Sequence, residues 1–125
     1  MYDIRLPIGI KAQHIIKPRL DVVYPAIESV SNPAAQLRIN NALYYLTNGI
    51  ITDQGYYRNP GTECTGYFEV KNNQREILSV SLINDAYSGG VHGLRMIKSL
   101  TADVRSGKIY KLRGLFKSDA DYVRI

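Results

Sequence analysis

Apolar residues change their spacing once along this chain, and that change constrains the fold more than any other feature. From Ile39 through Leu43 and Leu46 to Ile50 they recur every three or four residues, as one stripe of a helix does. From Cys64 to Val104 they recur at every second residue, as on strands with one buried face. One helix and several alternating strands bury both apolar surfaces when the helix lies across a sheet. The expected class is α+β: an antiparallel β-meander sheet packed by one main α-helix.

The helix has a clear start. Asn32 is a good N-cap, and Pro33 stands at the first helical position, where its missing N–H costs nothing. Asn48-Gly49 is expected to end or fray it, so the helix should run from Asn32 to about Ile50. Before it, Ala12–Lys17 and Leu20–Tyr24 read as two short strands interrupted at Pro18, with Pro25 closing the second. After it, residues 52–61 are polar and rich in tyrosine, glycine and asparagine, a loop that is a candidate for mobility.

Beyond that loop Cys64, Phe68 and Val70 share one strand face, with Glu63, Thr65, Tyr67 and Glu69 opposite. Lys71–Gln74 reads as a turn. Leu78, Val80 and Leu82 then point inward with Ser79 and Ser81 outward, and Leu94, Met96, Leu100, Ala102 and Val104 repeat the pattern. Arg105-Ser106-Gly107-Lys108 is a hairpin turn with glycine where positive φ is needed. Between the last two runs stands Asp85-Ala86-Tyr87-Ser88-Gly89-Gly90-Val91-His92-Gly93. A plain hairpin needs fewer glycines, so this crossing is a wider bend, a bulge, or a place where a backbone or ligand comes close. From Asp119 the sequence reads as a capped helix start, with room for about two turns before the last residue.

At 125 residues the chain has the size of one domain, expected to be a single compact unit over 1–125. Apolar stretches are short and broken by charge, so no membrane span is expected. Cys64 is the only cysteine, which rules out an internal disulfide. The net charge of +5 is local: Arg95, Lys98, Arg105, Lys108, Lys111, Arg113 and Lys117 face only Asp103 over their stretch. Such a face either attracts an anionic polymer or is a solvated strand face protecting an edge. No nucleic-acid-binding motif accompanies it.

Several of these residues resemble known signatures. Tyr87-Ser88-Gly89-Gly90-Val91-His92 resembles the Tyr-Thr-Gly-Gly-Ala-His motif of a bacterial domain of unknown function. Asp103, Ser106-Gly107-Lys108, Leu112 and Leu115-Phe116 look like that domain's D-x-x-[ST]-G-K … L-x-x-L-F pattern. Tyr24-Pro25 and Ile39-Asn40 resemble the "YP … IN" pattern of a companion domain that usually precedes it. The resemblance divides the chain into a companion-like half, about 11–60, and a glycine-histidine half, about 62–125. It implies an extracytoplasmic setting: such pairs occur in lysozyme-sensing anti-sigma factors, ahead of peptidoglycan deacetylase catalytic domains, and in secreted or lipid-anchored proteins. In that family a helix follows the Leu-Phe motif, so the C-terminal helix here is read as truncated.

Candidate site residues follow from chemistry. Tyr56, Tyr57, Tyr67 and Tyr87 lie in the polar loop or on the outward strand parity, where rings suit sugars or a protein partner. His92 with Asp85 is a weak acid–base pair, and the alternative for His92 is a bond to backbone freed by the glycine bend. Lys98 has inward parity, so either a bulge shifts the register or its ammonium reaches past the core edge. Two histidines and one cysteine without ligand spacing argue against a metal site, and no cofactor is expected. The expected role is a non-catalytic binding or sensing module of the cell envelope, with a cell-wall polymer or wall-acting protein as partner. The alternatives are a small hydrolase or amidase using His92 with Asp85, and an edge-strand interaction domain forming a homodimer.

Overall fold

The computed structural model describes residues 8–28, 30–88 and 92–117. Its elements are β1 (Gly9–Lys17), β2 (Leu20–Glu28), α1 (Pro33–Asp53), β3 (Thr62–Gln74), β4 (Ile77–Ser88), β5 (His92–Asp103) and β6 (Ile109–Lys117). The strands form one six-stranded sheet in sequential order. The class is α+β, but the sheet is mixed, not wholly antiparallel: β2 and β3 run parallel over Leu20–Val22 and Cys64–Gly66. The cause is α1, which carries the chain back to the end of the sheet where β2 began, so that β3 starts alongside β2 in the same direction. The helix expected from Asp119 and the Gly89–Val91 bend lie outside the described residues.

Asn32 caps α1 as its sequence implies. Its Oδ1 accepts from the N–H groups of Ala34 (3.0 Å) and Ala35 (3.3 Å), while its Nδ2 donates to the Arg105 carbonyl at 2.8 Å. The helix runs to Asp53, past Asn48-Gly49, because Ile50 and Ile51 are both fully buried and hold another turn against the sheet. Ala35, Ile39, Leu43, Thr47 and Ile50 form the buried stripe, and Leu46 is half-buried beside it.

The β1–β2 hairpin explains why Pro25 does not end its strand. Lys17 and Leu20 close a two-residue turn, so odd-numbered residues of β1 and even-numbered residues of β2 direct their backbone groups at each other. Pro25 therefore lacks only an N–H that would point away from β1, and β2 continues to Glu28. Ile27 has the same outward orientation, and there the side chain of Asn40 takes the place of a neighbouring strand. Its Oδ1 accepts from the Ile27 N–H at 2.7 Å, and its Nδ2 donates to the Ile27 carbonyl at 3.0 Å. Asn73 does the same for Ile8, accepting at 3.2 Å and donating at 3.0 Å. Buried positions on β2 change parity, from Leu20 and Val22 to Pro25 and Ile27, with no break in register. A ribbon released from its neighbour on one side twists strongly, and this one turns its other face to the core.

Two turns differ from expectation. Lys71–Gln74 is not a turn: β3 continues through it with a bulge between Val70 and Asn72. The reversal comes at Arg75-Glu76, both at positive φ (56° and 69°), the geometry of a two-residue hairpin without its usual glycine. Residues 54–61 after α1 form a hydrogen-bonded run of turns, with Arg58 and Asn59 both donating to the Gly55 carbonyl. The Arg105–Lys108 turn is as read, with Gly107 at φ 81°.

Candidate binding surface

Strand register decides which side chains meet. Directly paired residues of an antiparallel ladder share a face. Thr65, Asp85 and Arg95 therefore form one row across β3, β4 and β5, with Tyr67–Ile83–Ile97 on one side and Glu63–Tyr87–Gly93 on the other. The opposite parity, with Cys64, Ala86, Leu82 and Met96, belongs to the buried core beneath α1. On the outer face Arg95 grips Asp85 through two bonds, Nε to Oδ1 at 2.8 Å and Nη2 to Oδ2 at 2.9 Å. These bonds, and then the carboxylate charge, raise the pKa of the guanidinium. Tyr67 and Tyr87 flank this pair and are 44% and 50% exposed. Along the same face Ser81 bonds Ser99 (3.3 Å) and Ser79 bonds Thr101 (2.7 Å), a ladder of hydroxyls leading away from the tyrosines.

Tyr56 and Tyr57 do not join that face. Tyr56 is half-buried against Leu20, Val22 and Ile51, and its hydroxyl donates to the Pro18 carbonyl at 2.7 Å, pinning the α1–β3 connection to the first hairpin. Tyr57 packs edge-on against it at 5.0 Å and is exposed, with Lys17 Nζ 5.4 Å from its ring centroid. Four tyrosines read as one set thus divide into a platform pair, a structural clip and one exposed ring.

Asp85 and His92 hold register positions of opposite parity. Asp85 is committed to Arg95 on the outer face, whereas His92 pairs with Ser88, in the row of Thr62 and on the opposite parity. The His92 side chain lies outside the described residues. Lys98 keeps an unbroken register opposite Leu82, on the helix face, and its ammonium reaches Asp53 at 3.8 Å. A cation is thereby supplied to the C-terminal end of a helix whose own last turn has no basic residue. Cys64 is buried and burial raises its thiol pKa, the reverse of an activated nucleophile. Among the described residues no three His, Cys, Asp or Glu side chains converge.

Among the described residues, several of those behind the family resemblance are fasteners. Asp103 Oδ1 accepts from the Arg105 N–H at 2.8 Å, Ser106 Oγ accepts from the Lys108 N–H at 3.1 Å, and Gly107 lies against Ala35 of α1. Asn40 clamps Ile27, Ile39 is fully buried, and Ser88 bonds Thr62 at 2.8 Å. Gly107, Ile39 and Asn40 hold α1 against the sheet, whereas Asp103 and Ser106 fasten a turn and Ser88 ties β4 to β3.

Sequence reading missed Arg95 as a site residue and overlooked a second aromatic group. A hairpin centred on Gly90 places Asp85 opposite Arg95, and that count was the available signal. Tyr24, Tyr44 and Tyr45 cluster with ring centroids 6.0 and 6.4 Å apart, Tyr45 being largely exposed. Both helical tyrosines fall off the Ile39–Ile50 stripe, which marks them as outward. Gln54, at the end of α1, was also missed: it is buried and its Nε2 donates to the Asn84 and Leu94 carbonyls, each at 3.0 Å.

No protein-family model matches the chain, and no curated protein does. Among solved structures, a crystal structure of a DUF3298 family protein from Pseudomonas aeruginosa PAO1 matches with a TM-score of 0.60 and 11% sequence identity. The match covers 86% of this chain and 57% of that one. What the chain shares with that domain of unknown function is the fold.

Proposed function

We propose that this chain is a non-catalytic binding module of the bacterial cell envelope, acting outside the cytoplasm, and that its ligand is a cell-wall glycan. The observation that carries the reading is the outer face of β3–β5, where two half-exposed tyrosines flank a bidentate Arg95–Asp85 pair. Such rings offer flat apolar surface to sugar faces, and the ordered polar groups beside them match sugar hydroxyls. The net positive charge favours the anionic polymers that accompany such glycans. A hydrolase built on His92 and Asp85 has less support, because the Asp85 carboxylate is already bonded twice by Arg95.

The test is retention on insoluble peptidoglycan, with and without attached anionic polymer, over a salt series. Salt-resistant retention that falls at least about tenfold on Tyr67→Ala or Tyr87→Ala, the loss of one good aromatic contact, is the expected result. Retention abolished by salt and indifferent to both tyrosines leaves only the basic charge. No retention on either material ends the glycan reading and turns it to a wall-acting protein.

A further inference from the structure

The outer edge of β1 has a built length and a built register. Since odd-numbered residues of β1 face β2, the backbone N–H and C=O groups of Ile8, Ile10, Ala12, His14 and Ile16 face away from the sheet. Ile8 is satisfied by Asn73, which marks one end of the edge. From Ile10 to Ile16 none of these groups has a partner among the described residues. The strand has no proline and its register with β2 is continuous, so little blocks a further strand except its charge. Ile16, 68% exposed, stands at the far end.

We propose that a second copy of this chain adds to this edge, β1 against β1 antiparallel, with Gln13 on the twofold axis. This register creates a complementary pattern of pairs. Ile10 meets Ile16 of the second copy and Ala12 meets its His14, and each such pair exchanges two hydrogen bonds through the outward backbone groups. Gln13 faces its own mate. Lys11 faces Ile15 and Lys17 faces Gly9, so no like charges stand directly opposite each other. Gly9 is also where the partner's lysine finds an anion. The Glu28 side chain lies across it, with Cγ 2.9 Å from where a Cβ would stand. Lys17 of each copy thus swings from its own Tyr57, whose ring centroid lies 5.4 Å from its Nζ, over a glycine to Glu28 of the other. The interface is isologous and closed, and it joins two sheets into one.

The interface is small and its affinity accordingly modest, so sedimentation or light scattering should follow it up to about 1 mM chain. A concentration-dependent dimer is expected. Ala12→Pro removes an outward N–H that β2 does not use, and should abolish the dimer while leaving the far-UV circular dichroism of the monomer unchanged. Gln13→Cys should give a disulfide-linked dimer under mild oxidation, because a non-hydrogen-bonded antiparallel pair sets its Cα atoms about 4.5 Å apart. Lys11→Cys should not. Lys17→Glu should weaken association at least about tenfold, the scale of a close like-charge pair, and Glu28→Lys in the same chain should restore it. A monomer at every concentration overturns the proposal, as does a dimer that withstands Ala12→Pro and in which Gln13→Cys fails to cross-link. If Ala12→Pro fails to fold, the Gln13→Cys and Lys11→Cys pair decides alone.

Discussion

Gly107 combines two demands that only glycine meets: φ of 81°, and a hydrogen atom facing α1 where a methyl would stand 2.9 Å from Ala35 Cα. Gly107→Ala should therefore cost about 2–4 kcal/mol, the left-handed penalty plus overpacking, measured by urea unfolding. The left-handed turn was legible from Ser106-Gly107-Lys108, but the close approach to the helix was not, because it joins residues far apart in the chain. Cys64 gives a pH signature. The unfolded thiol ionises near its ordinary value of 9.0, while burial keeps the folded thiol protonated to higher pH. Its contribution is thus complete below pH 9 and is lost as pH rises through the folded value. Tyr24, raised first by burial and then by Tyr44, extends the loss beyond its ordinary 10.0. Thermal unfolding of Cys64→Ala should show a flatter decline between pH 8 and 10 than the native chain, and an unchanged decline would remove Cys64 as the cause.

Two asparagines do the work of strands. Asn40 satisfies both backbone groups of Ile27, which is 2% exposed, and its removal by Asn40→Ala should cost about 2–4 kcal/mol because two buried groups lose their partner. Asn73→Ala uncovers the less buried Ile8 and should cost about 1 kcal/mol. Equal losses in chemical denaturation would contradict this account of where β2 leaves β3. At this scale α1 was readable to within three residues of its end, because cap, proline and stripe agree. The strands around it were readable by alternation and misread where alternation is not the deciding physics. Pro25 was taken as a stop because its missing N–H matters only on one side of a strand, and the sequence does not say which side is paired. Arg75-Glu76 was missed because nothing local marks two non-glycine residues for positive φ; the Glu76 carbonyl is held there by the Val104 N–H, far along the chain.

One face of the β3–β5 sheet lies beneath α1, and the other carries the tyrosine pair, the Arg95–Asp85 clamp and the hydroxyl ladder. Outward parity for Tyr67 and Tyr87 was readable from alternation alone. Their convergence on one ion pair was not, since it depends on the register that the β4–β5 hairpin sets. The binding proposal rests on that convergence. The most direct test is amide and side-chain NMR of the native chain titrated with soluble cell-wall glycan fragments. Saturable shifts centred on Tyr67, Asp85, Tyr87 and Arg95, and lost in Tyr87→Ala, are the predicted result. Saturable shifts centred on another face, or none at millimolar fragment, would contradict it.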